Sequence, residues 1–204
     1  MEFPAATKIN KIIAKDAFYQ KAKVSGELRE LFIRQINRIR LANVLRESTL
    51  NIHAGDYNEI NIFEVELADF HLDSKVIQTL DSVLPRPTIF IFKKEGSPLR
   101  KIVCGYKLPN SGKVEQYFQH DWSDSFTLKI AGLTIDEVYK NFISQISPEF
   151  GGGQHKIEDS FADFSQKEKI KKQIAALTRQ IAREPAIAKK QQLAKQRALL
   201  QREL

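Results

Sequence analysis

The sequence predicts an α/β (α+β) protein in which a mixed or mostly antiparallel sheet flanked by helices precedes a basic helical C-terminal arm. Three observations carry that expectation. Between Glu59 and Leu67, Ile60, Ile62, Glu64 and Glu66 alternate with Asn61, Phe63, Val65 and Leu67, the period of two that marks a strand. Thr134-Ile-Asp-Glu137 reads as a capping box heading an apolar-faced helix. Positive charge is gathered at one end: from Phe161 onward eleven Lys/Arg face four Asp/Glu, which accounts for the whole formal net charge of +7.

The elements follow in chain order. Residues 1–24 are polar and mixed and read as an extended lead-in, with a short turn around Lys15–Tyr19. Ser25 can cap a helix whose face is Leu28, Leu31, Phe32 and Ile36. Arg38–Leu45 fits either an extension of that helix or a strand. After the strand at Glu59–Leu67, Asp73 or Ser74 opens a short helix with Val76, Ile77, Leu80 and Val83 inward, stopped by Pro85 and Pro87. Thr88–Phe92 and Lys101–Tyr106 form a hairpin through the turn chemistry of Lys94–Pro98. Val114–Phe118 and Phe126–Ile130 read as further strands joined through His120-Asp121-Trp122. The capped helix then presents Ile135, Val138, Phe142 and Ile146.

Gly151-Gly-Gly153 breaks the pattern and opens a polar linker. Beyond it Ile170, Ile174, Leu177 and Ile181 fall at helical spacing, opposite Lys172, Arg179 and Arg183. Pro185 interrupts that helix, and a second runs from about Ala186 to Leu204. The expected organisation is an α/β domain at 1–150, a Gly-rich hinge and linker at 151–166, and a basic helical arm at 167–204 broken near Pro185.

Several chemistries find no support in the residues. A single cysteine, Cys104, rules out an internal disulfide, and with no signal-like N-terminus a reducing, cytoplasmic setting is expected. No apolar run approaches the roughly 20 residues of a membrane helix. His53, His71, His120 and His155 lack a second histidine or cysteine at ligand spacing, so no metal or other cofactor is expected. A nucleophile elbow and a phosphate-binding glycine loop are both missing, which favours a protein without an active site of its own. Glu64 and Glu66 on one strand face leave open a divergent Mg²⁺-dependent nuclease, although Ala68 stands where such nucleases carry a lysine.

The order of short segments resembles a known family. Lys15-Asp-Ala-Phe-Tyr19, Ile39–Leu45 running into Thr49-Leu-Asn-Ile52, Ile60–Leu67 and Leu80-Asp81 with Pro85 carry its first half. Ile89–Phe92, Tyr106-Lys107, Asp121-Trp122 and Asp136-Glu-Val-Tyr139 continue it over most of the chain. Together they resemble the bacterial domain-of-unknown-function 4391 family. The resemblance implies a genomic setting beside helicases and DNA methyltransferases in restriction-like phage-defence loci, and no activity. The family's closing charged helix corresponds in part to Glu184, Lys189 and Lys190, while Pro185 and the Ala-rich run depart from it.

The expected function is a non-catalytic accessory or scaffold subunit of a DNA-modification or helicase-containing defence system. Its arm contacts a helicase or DNA methyltransferase subunit, DNA, or both. Lys169, Lys172, Arg179, Arg183, Lys189 and Lys190 are the candidate nucleic-acid contacts. Ile170, Ile174, Leu177 and Ile181 are the candidate partner-binding stripe. The alternatives are the nuclease using Glu64 or Glu66 and a free-standing nucleic-acid-binding protein.

Overall fold

The computed structural model describes residues 3–109, 112–148, 170 and 173–202. The chain divides into two compact units, Met1–Gly152 and Gly153–Leu204, taken separately below.

The first unit is built on a six-stranded sheet in the order β1-β2-β3-β4-β5-β6. The strands are β1 (Lys8–Ile13), β2 (Ile36–Arg46), β3 (Glu59–Leu67), β4 (Thr88–Lys94), β5 (Arg100–Lys107) and β6 (Val114–Ser123). Neighbours are antiparallel except β3 and β4, which run parallel. A parallel pair needs a crossover, supplied here by helix α4 (Ser74–Ser82), whose first turn is capped by Asp73 accepting from Lys75 N at 2.8 Å. The α+β class, with its mostly antiparallel sheet and flanking helices, is therefore the one the sequence predicts.

One face of the sheet carries Ile39, Phe63, Val65, Leu67, Phe90, Phe92 and Val103. Against it lie Phe18 of helix α1 (Lys15–Ala22), Phe32 of helix α2 (Gly26–Gln35), and Val76 and Leu80 of α4. Burying each such side chain contributes about 1.5–3 kcal/mol, so this layer supplies much of the fold's stability. The one-turn helix α3 (Glu47–Leu50) closes β2. On the other face, Leu45, Ile60, Ile62, Ile89, Ile102, Cys104 and Tyr106 are buried. Helix α5 (Ile135–Ile146), which packs on β3, β5 and β6, buries Ile135, Val138, Tyr139, Phe142, Ile143 and Ile146. Thr134 caps α5 by accepting from Glu137 N at 3.2 Å, and Glu137 Oε2 reaches back to Leu133 N at 2.6 Å. The reciprocal bond of the capping box thus lands one residue ahead of the cap.

Three sequence expectations need correction. The N-terminal segment is not an extended lead-in but holds β1 and α1. All six residues of β1 are exposed or only half-buried, so no burial pattern marks it, and pairing with β2 alone defines it. The lysines of α1 tie it down: Lys15 Nζ donates to Ile36 O at 2.8 Å and Lys21 Nζ to Val83 O at 3.0 Å. Ile36, placed on the α2 face by its spacing, instead begins β2, which resolves Arg38–Leu45 as strand. Finally, β6 runs unbroken through His120-Asp121-Trp122, and Phe126–Ile130 forms no strand. The Gln145 side-chain amide occupies the backbone there, donating to Lys129 O and accepting from Lys129 N, both at 2.8 Å. A ladder partner has nothing left to bond at that residue.

In the second unit the described residues form helix α6 (173–183), a non-helical stretch at 184–186 containing Pro185, and helix α7 (Ile187–Gln201). The hinge assigned to Gly151–Gly153, the linker through residue 166, and His155 lie outside the described residues. No helix among the described residues is long and apolar enough to cross a membrane.

Candidate functional site

Two groups of side chains bear on function. The first is the arm. Ile170 is buried, while Ile174, Leu177 and Ile181 on α6 are half-buried and Arg179 and Arg183 are exposed. A residue step of about 100° puts the cations on the side away from the apolar stripe. On α7, Lys189 and Lys190 are exposed, and Lys189 lies 3.2 Å from Glu184. Glu184 also accepts from Ala186 N at 3.2 Å, and that bond, with Lys189, holds its carboxyl below the usual range. Lys169 and Lys172 lie outside the described residues.

The second group surrounds the acids of β3. Glu64 and Glu66 point to the same face as Ile60 and Ile62, but beyond the buried apolar half. Arg40 on β2 is the direct cross-strand neighbour of Glu64, and Arg38 that of Glu66. Arg40 Nη2 donates to Glu64 Oε2, and Lys93 Nζ donates to the same oxygen at 2.8 Å. Burial pushes the Glu64 carboxyl up, but the bonds from Lys93 and Arg40 prevail and hold it below its ordinary value. Glu66 lies 3.9 Å from Arg38. The acids are thus counter-ions to cations of adjacent strands. Among the described residues no three His, Cys, Asp or Glu side chains gather where they could hold a metal ion.

The sequence reading missed the cations around Glu64, because they come from separate strands and only the pairing register brings them together. A faint signal existed in Arg38 and Arg40, which alternate as Glu64 and Glu66 do. It also missed Lys107, which is 1 % exposed. Lys107 Nζ lies 2.5 Å from Asp81 Oδ1, whose side chain is wholly buried. It also donates to the carbonyls of Asp81 at 3.3 Å, Arg86 at 3.2 Å, and Leu84. Lys107 therefore closes the C-terminal end of α4, where carbonyls lack intrahelical donors. Tyr139 Oη accepts from Lys107 N at 3.1 Å and donates to Gly105 O at 2.5 Å, and the Tyr57 hydroxyl donates to Lys107 O. The ammonium is surrounded by acceptors, so this network is structural. Cys104 is buried beside it, and burial first, then the nearby Asp81 charge, pushes its thiol well up.

These features define an α+β protein with a half-covered sheet, a charged patch beyond the covered half, and cationic helices in a second unit. The chain belongs to the family described as "Domain of unknown function (DUF4391)", whose model matches residues 1–204. Comparison with curated proteins and with solved structures gives no match.

Proposed function

We propose that the protein is a non-catalytic accessory or scaffold subunit of a helicase- or DNA-methyltransferase-containing defence system, and that its basic arm contacts a partner subunit, DNA, or both. The observation that carries the reading is the segregation on the arm. Arg179, Arg183, Lys189 and Lys190 are exposed, while Ile174, Leu177 and Ile181 are half-buried. Such a helix can lay its apolar stripe on protein and hold its cations out to phosphates or carboxylates. The setting beside helicases and methyltransferases is what the resemblance to the DUF4391 family implies, and it supports this reading.

The nuclease reading of Glu64 and Glu66 is less well supported. Metal-assisted hydrolysis needs carboxylates free to converge on a cation. Glu64 instead spends its charge on Arg40 and Lys93.

The test compares two variants of the full-length chain. One replaces Arg179, Arg183, Lys189 and Lys190 by Gln; the other is Leu177→Asp. If the arm binds DNA, the first weakens binding about equally for all sequences and flattens the salt dependence by roughly 0.9 for each phosphate no longer neutralised. If the arm binds protein, Leu177→Asp releases a co-purifying helicase or methyltransferase subunit while the first unit stays folded. Unchanged binding in both variants rejects the arm as an interaction element.

A further inference from the structure

The charged half of the sheet's second face has a composition that a solvated surface does not explain. Along β2, β3, β4 and β5 the buried residues Leu45, Ile62, Ile91 and Ile102 give way to Arg40, Glu64, Lys93 and Arg100. A depression of about 460 Å³ opens there, its charged lining being Lys8, Arg40, Lys93, Arg100 and Glu64. Four cations thus surround one carboxylate. Lys93 and Arg100 are direct cross-strand partners, an arrangement that like charges make unfavourable. On the adjacent position of β5, Lys101 has its own acid, Asp121, at 3.0 Å. Among the described residues, Lys8 and Arg100 make no such side-chain pair.

The cations are also positioned. Glu64 Oε2 holds both Arg40 and Lys93, leaving further N–H donors of each uncommitted. Arg40 Nη1 donates to Asn10 Oδ1 at 2.8 Å. Asn10 sits at φ 53°, where the β1–β2 ladder slips between Lys8 and Lys11. A left-handed residue at a bulge re-aims its side chain, and asparagine tolerates that conformation better than most. The backbone irregularity therefore braces Arg40 toward the depression.

We infer that this depression is a phosphate-binding site, in which Arg40 and Lys93, braced by Glu64 and Asn10, together with Lys8 and Arg100 at the rim, receive the phosphate of a nucleotide or of a nucleic-acid backbone. Gathered cations in a concave, partly desolvated site raise the local concentration of anions, and guanidinium N–H groups match phosphate oxygens. The volume lies within the roughly 300–1,000 Å³ range of small-molecule pockets. The site belongs to the first unit and does not depend on the arm reading.

The experiment titrates the full-length protein with inorganic phosphate, adenosine monophosphate and a short single-stranded oligonucleotide. The variant Lys8→Gln/Arg100→Gln removes only exposed side chains, so it keeps the fold. Lys75→Gln, an exposed cation on α4 at the opposite face, is the control. Loss of about tenfold in affinity for phosphate and the mononucleotide in the double variant, with none in the control, supports the site with a small ligand. Loss confined to the oligonucleotide, with a salt slope reduced by roughly 0.9 for each phosphate released, supports it with the backbone as source. The arm variants described above separate the two readings, since they leave the phosphate and mononucleotide titrations unchanged. Binding that the double variant does not alter, equal weakening by Lys75→Gln, or no binding of any probe by the unmodified protein overturns the inference.

Discussion

Replacing Lys107 by methionine keeps an unbranched side chain and removes both the charge and the donors of the ammonium, which makes it a sharp test of the buried network. Lys107 and Asp81 are 1 % and 0 % exposed at the side chain. Removing one partner of a buried ion pair costs about 3–5 kcal/mol, because the other charge is left without compensation. The buried Asp81 carbonyl, losing a donor at 3.3 Å, adds about 1 kcal/mol. The Leu84 and Arg86 carbonyls are only partly buried, so water can replace the ammonium there. Against a total stability of about 5–15 kcal/mol for such a domain, the loss is severe. Urea unfolding followed by the fluorescence of Trp122, the chain's one tryptophan, measures it. Adding Asp81→Asn removes the stranded charge, so the double variant recovers about 2 kcal/mol or more of the loss. The pH dependence supplies a second check. Burial pushes the Asp81 carboxyl above its ordinary 3.8, while Lys107 and Tyr117 pull it back. The folded state then binds that proton more tightly than the unfolded chain, so stability falls as pH rises through the window above 3.8. Without Lys107 that fall extends to higher pH. A single variant costing under about 1 kcal/mol, or a double variant no better than the single, refutes the account.

Other consequences are as direct. A Cβ on Gly105 would sit 2.5 Å from Asp81 Oδ2 and 3.0 Å from a Tyr117 ring carbon, whereas one on Gly26 meets nothing within 4 Å. Gly105→Ala is therefore expected to cost about 1–3 kcal/mol by overpacking, and Gly26→Ala to be neutral or slightly stabilising in the same melt. Glu64, held below its ordinary 4.5, contributes stability that is present above that value and lost as pH falls through its folded value. Glu64→Gln should flatten this acid limb, and an unchanged limb would place the loss elsewhere. Cys104, fully buried with its thiol pushed up, should react with a thiol reagent only as fast as the protein opens, and rapid labelling under native conditions contradicts that.

Much of the sheet was legible because its strands carry their burial in their letters. β3 alternates cleanly, β4 is β-branched and aromatic, and both Ser25 and Asp73 accept bonds from the first turns they were expected to cap. What escaped had a different basis. β1 is an edge strand whose register comes from backbone pairing, so its side chains carry no period. Phe126–Ile130 has strand composition, but at Lys129 both backbone groups bond to Gln145, a partner found only in three dimensions. Lys107 follows Tyr106 as an ordinary polar strand end in the sequence. Nothing in the sequence says that Asp81 and the end of α4 would enclose it.

The acids of β3 illustrate why a site is harder to read than a fold. Two carboxylates on one strand face suggest metal chemistry only while their other neighbours are unknown. Once the register puts Arg40 and Arg38 opposite them and Lys93 on the next strand, the carboxylate at 64 becomes the brace that holds two cations in one place. A carboxylate that accepts from both an arginine and a lysine has little affinity left for a divalent ion, but it lets those cations stand closer together than repulsion alone would allow. The same letters therefore argue for opposite ligands, a metal cation or a phosphate anion, according to which side chains the pairing delivers. Here the surplus of positive charge lies around Glu64 rather than on it, and Lys8 and Arg100 extend that surplus without adding an acid. The chemistry of the face is set by the cations, and the glutamate's role is to place them.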